Sequence, residues 1–460
     1  MGLFDAMTAA VSGLQSQAFA IQNISGNIAN SQTVAYKGIG TSFQDLIPSA
    51  SVPALQQAGG VLANSVATNT VQGTIQSETV GTYMAINGEG FFQVTAPSAF
   101  NGATPVFGGV VSYTRRGDFQ LNANGNLVNG AGYYLEGIPI DPTTGNPVGN
   151  VAAPLQFANN FLPASATSTI SYGLNLPTVP ATTAYSASIP NSELLKVSDF
   201  SAGHDPTIAG TGQVIGSDVS TFVNESVDGG AVTIYDATGT PSNMQLRWAK
   251  TDSVANGGTD TWQLFYQVDS NAAGTTVAWQ NVGTAFKFDT TGQLNPPVTS
   301  LALTGVTING LSLGNINVNM PSGSVTQFAN ASGATTVNNL QQNGFPAGQL
   351  NSISVGNNGV ITGTFSNGQN VSLAEIPLVH FNNANGLKSL DGGAYQVTDV
   401  SGAALAGASG SVVGQSLEAS NTDIATEFTK LIVTQQAYSA NTKVITTANQ
   451  MSQDLLNILR

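Results

Sequence analysis

The two ends of this chain carry the same heptad spacing, although several hundred residues lie between them. Near the start, Phe4, Met7, Val11, Leu14, Ala18, Ile21, Ser25 and Ile28 alternate by three and four. Near the end, Leu417, Asn421, Ile424, Phe428, Leu431, Gln435, Tyr438, Thr442, Ile445, Asn449, Ser452, Leu456 and Leu459 do the same. Such spacing lays a largely apolar stripe along one side of a helix, and a stripe of that kind needs a partner. Everything between the ends reads as β-structure. The expected fold is therefore mixed and mainly β: β-rich body domains inserted between N- and C-terminal α-helices that pair as a coiled-coil-like stalk. Gln435, Thr442 and Asn449 interrupt the C-terminal stripe, so the seam is expected to be incomplete within one chain and finished by identical neighbours.

Four segments follow from the pattern. Residues 1–35 and 420–460 form the helical stalk, with Asp5 in the first turn of the first helix and Ser420 with Asp423 as a capping-box-like start to the last. Residues 36–70 dissolve into Gly, Pro, Ser and Gln and are expected to be an extended linker. Residues 71–176 and 346–419 form an inner β domain in two pieces, and 177–345 an inserted outer β domain. Tyr83–Ile86, Asn87-Gly88 and Phe91–Val94 have the pattern of a hairpin, as do Phe119–Leu121, Asn124-Gly125 and Asn126–Val128. Turns are expected at Asn357-Asn358-Gly359 and Ser366-Asn367-Gly368. Clear strands lie at 231–235, 244–249 and 261–268.

Charge narrows the range of partners. Only 8% of residues are charged, the net charge is −14, and no Lys/Arg cluster exists. Nucleic acid is disfavoured, because counterion release needs a basic patch. No apolar run reaches membrane-spanning length, so no membrane insertion is expected. No basic n-region precedes an apolar core, so export is expected to use a route that reads no cleaved signal. Without cysteine there are no disulfides, thiolate nucleophiles or most structural zinc sites.

Chemistry is poorly represented. His204 sits in a Gly-His-Asp-Pro turn and His380 in a strand-like run, an arrangement that suits ordinary surface or core histidines. The 122–126 loop lacks the carboxylates and distal Glu of a calcium loop. Gly88-Glu89-Gly90 lacks the third glycine of a dinucleotide fingerprint. Asp199, Asp205, Asp218 and Asp228 share a loop-rich region without a spacing that pairs them on a substrate. Arg115-Arg116-Gly117-Asp118 reads as a charged hairpin surface facing solvent or a neighbour. No catalytic, cofactor-binding or metal-binding residue is expected, and no enzyme. The alternative of a secreted β-rich glycan-binding or glycan-cleaving protein has no specific residues behind it.

Several stretches resemble the bacterial flagellar axial family of rod and hook subunits. Asn27-Ile28-Ala29-Asn30 with Thr33-Val34-Ala35-Tyr36-Lys37 is similar to that family's N-terminal signature. Leu417–Asp423, with Ser420, Asn421 and Asp423, through Glu427-Phe428 and Gln435–Tyr438, is similar to its C-terminal one. Ile86–Phe92 and Tyr113–Phe119 are similar to motifs shared by rod and hook subunits. Val232–Asp236, the Trp262 strand, Thr326–Phe328, Gln342–Phe345 and Phe365–Gly368 resemble the hook branch. Ala35 stands where the family usually has Gly.

The resemblance implies a self-assembling helical homopolymer. Its implied partners are distal rod, hook cap and hook-filament junction proteins and the flagellar type III export apparatus. A distal rod or junction protein is the alternative within the family. The residues expected to carry assembly are Phe4, Met7, Val11, Leu14, Ile21, Ile28, Leu417, Ile424, Phe428, Leu431, Tyr438, Ile445 and Leu456.

Overall fold

The computed structural model describes residues 3–46, 59–142, 144–157, 161–208 and 210–458. Leu459, and residues 47–58 of the expected linker, lie outside them. Chain contacts divide the molecule into two units, residues 1–160 with 350–460 and residues 161–349.

In the first unit the heptad ends form helices α1 (Leu3–Ala29) and, at the C-terminus, α3 (Ile424–Ile458). Asp423 caps α3: its Oδ1 accepts the N–H of Thr426 at 2.7 Å, as an N-cap aspartate does. Ser420, expected at that position, instead bonds the Thr422 hydroxyl at 2.7 Å. Leu417, expected on the helical stripe, lies in the strand Ser416–Glu418, which pairs with Ile75–Ser77.

The segment expected as an extended linker is an antiparallel ladder, Ile39–Asp45 against Val61–Ala67. It is tied to α1, where Ser16 Oγ donates to the Val61 carbonyl and Ser12 Oγ accepts the Val61 N–H. Gly, Ser and Gln weaken strand propensity, yet these helix hydroxyls fix the ladder's edge from outside.

The β body of this unit is an antiparallel sheet. In spatial order it runs Val360–Phe365, Asn370–Glu375, Tyr134–Pro139, Phe91–Asn101, Thr104–Thr114, Ala394–Gln396 and Lys388–Ser389. A cluster of Phe91, Tyr113, Val379, Phe381, Leu387 and Tyr395 forms part of its core, with edge-to-face ring contacts. The Asn124-Gly125 hairpin forms as expected, with Gly125 at φ +78°. The Asn87-Gly88 hairpin does not. Met84–Asn87 pairs with Ser411–Gly414, and Phe91–Asn101 pairs elsewhere. Gly88 and Gly90 both take positive φ, and Gln72 binds the Ile86 carbonyl and the Gly88 N–H, so the link leads out of the ladder instead of folding it back.

The second unit holds two sheets. One is antiparallel, in the order Gln213–Ile215, Val277–Lys287, Thr261–Gln267, Pro241–Asp252 and Val227–Tyr235. It is covered on both faces. Trp248, Trp262, Leu264 and Tyr266 face the main core, whereas Ala249, Phe265, Ala278 and Trp279 meet Phe222 of the short helix α2 (Val219–Asn224). Alternation along Pro241–Asp252 and Thr261–Gln267 sets Trp248 against Ala249 and Leu264 against Phe265 on opposite faces. The other sheet centres on Thr169–Leu176, which pairs with Leu311–Asn319, Val325–Gln327 and Thr336–Gln342. The boundary therefore falls at 160/161 and 349/350 instead of 176/177 and 345/346. Tyr172 explains the difference: it is fully buried, donates to the Gly229 carbonyl at 2.6 Å and accepts from Trp248 Nε1 at 2.9 Å.

Candidate functional site at the foot of the terminal helices

The family-signature residues converge where both helices enter the β body of the first unit. Asn27, buried in the last turns of α1, uses its whole amide. Nδ2 donates to the Ile39 carbonyl at 3.0 Å and to Glu427 Oε2 at 3.1 Å. Oδ1 accepts the Ile39 N–H at 2.8 Å and the Tyr36 hydroxyl at 3.3 Å. Burial, with Glu427 close by, raises the Tyr36 pKa and keeps the phenol a donor. Asn421 works the same way from the other terminus. Its Oδ1 accepts the Gly38 N–H at 2.7 Å, and its Nδ2 donates to Thr68 Oγ1 at 3.0 Å.

Beneath these amides lies a buried charge cluster. Lys37 Nζ meets Glu418 Oε1 at 2.5 Å and donates to the Val71 carbonyl at 2.7 Å. Arg115 Nη1 meets Glu418 Oε2 at 3.3 Å, and the guanidinium lies over the Phe91 ring at 5.5 Å. Glu418 is fully buried and also accepts the Gly73 N–H at 2.8 Å. Gly73 is required there, because a Cβ would lie 2.0 Å from the Ala419 carbonyl oxygen. Burial pushes the Lys37 ammonium below its usual pKa, against the opposing pull of Glu418. One carboxylate thus holds two cations and joins three distant segments.

Arg115 is therefore no surface charge, whereas its neighbour Arg116 does form a local fork onto Asp118 at 2.8 Å. Local sequence marks neither Arg115 nor Glu418 as a site residue beyond their places in the Tyr113–Phe119 and Leu417–Asp423 stretches. Asn30 closes the turn after α1 by bonding Gly26 and Thr33, and Ala29 is exposed.

The helices approach each other along a face different from the expected one. Asn27 meets Glu427, and a Cβ on Gly13 would lie 2.9 Å from Asn441 Nδ2. Moving fourteen residues back along α1 matches fourteen forward along α3, so the helices run antiparallel with a two-heptad spacing between these contacts. The same register sets Ala20 opposite Thr434 and Ala6 opposite Ala448. The buried face of α1 is Ala10, Gly13, Ser16, Ala20, Ile24 and Asn27, one position ahead of the expected stripe. On α3, Glu427, Thr434 and Ala448 are buried, whereas Gln435, Thr442 and Asn449 are exposed and take no part in the buried face within the chain.

Among the residues expected to carry assembly, Phe4 (76%), Val11 (43%), Phe428 (49%) and Leu456 (63%) are exposed, as are Ile424 and Tyr438. Met7, Leu14, Ile21, Ile28, Leu417, Leu431 and Ile445 are half-buried.

No group of three or more potential metal ligands occurs among the described residues. Asp205 and Asp228 accept the N–H two residues on, from Thr207 and Gly230, as turn-holding carboxylates do, and Asp218 accepts the N–H and hydroxyl of Ser201. No helix is long and apolar enough to cross a membrane among the described residues.

Comparison with known proteins places this architecture. Residues 85–189 match the flagellar hook protein FlgE/F/G D1 domain, 224–345 the flagellar basal body protein FlaE D2 domain, and 413–458 the flagellar basal body rod FlgEFG protein C-terminal family. The flagellar hook protein FlgE of Salmonella typhimurium is 30% identical over 461 residues, covering 98% of both chains. The chain belongs to the flagellar hook protein family. Other hook proteins resemble it at similar distance. That of Escherichia coli is 29% identical, over 98% of this chain and all of its own, and that of Caulobacter vibrioides 28%, over the whole of both. The solved Helicobacter pylori flagellar hook protein FlgE2 is 16% identical, with a TM-score of 0.47 over 74% of this chain and 99% of its own. As a hook-family subunit, the chain has its place in the extracellular flagellar basal body and hook complex.

Proposed function

We propose that the chain is a non-enzymatic subunit whose terminal helices act as a coiled-coil-like stalk and polymerise it into the flexible tube of the hook. The observation that supports this is the rotation of the helix faces. Small and polar residues meet within the chain, leaving Phe4, Val11, Phe428 and Leu456 exposed. An apolar stripe left exposed along a helix marks an interaction surface, and contacts that do not close on themselves generate a helical tube. The buried cluster at Glu418 fixes the stalk to the β body, so that torque received by the helices passes to the body through a stiff joint. Distal rod, hook cap and hook-filament junction proteins, and the type III export apparatus, are the partners this reading requires.

The test replaces Phe4, Val11 and Phe428 together by Ser. The purified variant should keep the circular dichroism of the parent yet form no tubes by electron microscopy. Normal tubes from this variant would exclude the apolar stripe as the polymerising element. Curved tubes from the parent chain support the hook reading, and short straight ones the rod reading.

A further inference from the structure

We propose that Asn101 is a site of spontaneous backbone-assisted deamidation, the first of the chain's Asn-Gly pairs to convert. The sequence holds ten such pairs. In each, glycine leaves its backbone nitrogen sterically open to attack the preceding side-chain amide. The fold withholds that nitrogen at seven of them. Gly88 and Gly344 donate their N–H to glutamine side chains, and five others donate to the carbonyl three residues earlier, as Gly125 does to Asn122. At two more the attacked group is held. Asn129 is buried with Oδ1 accepting from Ala131 and Tyr133, and Asn309 Oδ1 accepts the N–H and hydroxyl of Ser270.

Asn101 escapes both restraints. It lies exposed at the tip of the hairpin joining Phe91–Asn101 to Thr104–Thr114. Among the described residues neither its side chain nor the Gly102 N–H has a hydrogen-bond partner, and the space beside Gly102 is open to 4 Å.

The reaction needs only water. The Gly102 nitrogen gives its proton to solvent base and attacks Asn101 Cγ. A new C–N bond closes a succinimide, and the Cγ–Nδ2 bond breaks to release ammonia. Water then adds to one imide carbonyl and opens the ring to aspartate or isoaspartate. The consequence is local but sharp in character. From Phe91 to Thr114 the chain carries no Asp, Glu, Lys or Arg, so conversion places the first charge on an uncharged hairpin that exposes Phe100, Val106 and Val110. Isoaspartate also lengthens the backbone by one methylene within a tight turn.

The full chain, incubated folded in warm alkaline buffer, is digested and its peptides are weighed and assayed for isoaspartate over time. The peptide containing Asn101 should gain the amide-to-acid mass before any other, and Asn101→Ser should remove that early phase. In denaturant the ten pairs should converge towards a common rate, because the difference between them is imposed by the fold. Earlier conversion at any other pair, or equal isoaspartate in parent and variant, would overturn the proposal.

Discussion

Asn27 Nδ2 donates to Glu427 Oε2 at 3.1 Å across 400 residues of sequence, and both side chains are buried. Glu427 in turn binds Lys430 at 2.6 Å, so its charge is balanced on one side and hydrogen-bonded on the other. Replacing Asn27 by Asp removes the donor and sets a second carboxylate against Glu427. The expected cost is about 2–4 kcal/mol, in the range of losing a hydrogen bond to a charged group and leaving it buried. Chemical denaturation followed by helical circular dichroism measures it, and an unchanged midpoint would refute the role given to this contact.

The cluster at Glu418 makes a prediction about order. Glu418→Ala leaves Lys37 and Arg115 buried without an anion and should destabilise the first unit by about 3–5 kcal/mol. Lys37→Met leaves Arg115 to balance the same carboxylate and should cost clearly less. Equal losses in a denaturant titration of the two variants would mean that the two cations do not share the acid.

Ala35 takes φ +55° while its N–H is donated to the Glu418 carbonyl at 2.8 Å. That left-handed conformation strains any residue with a Cβ by about 1–2 kcal/mol. Ala35→Gly should remove the strain at an entropic cost of about 0.5–1 kcal/mol, for a net gain of up to about 1.5 kcal/mol. A rise in the melting temperature checks it, and a fall would show that the buried methyl packs more favourably than the strain costs.

Acidity should favour this protein. Burial raises the pKa of Glu136, in the first unit, and of Glu225, in the second, from 4.5 to about 7. Between about 4.5 and 7 each folded unit then binds more protons than its unfolded chain, so stability falls as pH rises through that window. Asp236, Asp289 and Asp423 act oppositely: hydrogen bonds lower their pKa below 3.8, and their contribution is lost as pH falls beneath that. Melting temperature should therefore peak in mildly acidic buffer. Glu136→Gln should raise it in neutral buffer and flatten its decline; a parent curve that climbs from pH 4.5 to 7 would contradict the assignment.

Local pattern determined much of the chain. Heptad spacing located both terminal helices, alternation located the strands at 231–235 and 244–249, and Asn-Gly steps located turns such as 124–125, because each of these depends on neighbours a few residues apart. Only the tertiary structure decided which surfaces meet. An apolar stripe states which face seeks cover but not what covers it, and Ala10, Gly13, Ser16 and Ala20 allow the close approach that turned α1 by one residue. Arg115 reads locally as a surface charge and is instead buried against Glu418, since no periodic signal spans the 303 residues between them. Met84–Asn87 likewise chose a partner near the far end of the chain over the strand beside it, where Gln72 holds the link open. The sequence by itself determined the elements and the family signature; long-range packing and burial decided their faces, their pairings and the charged joint between them.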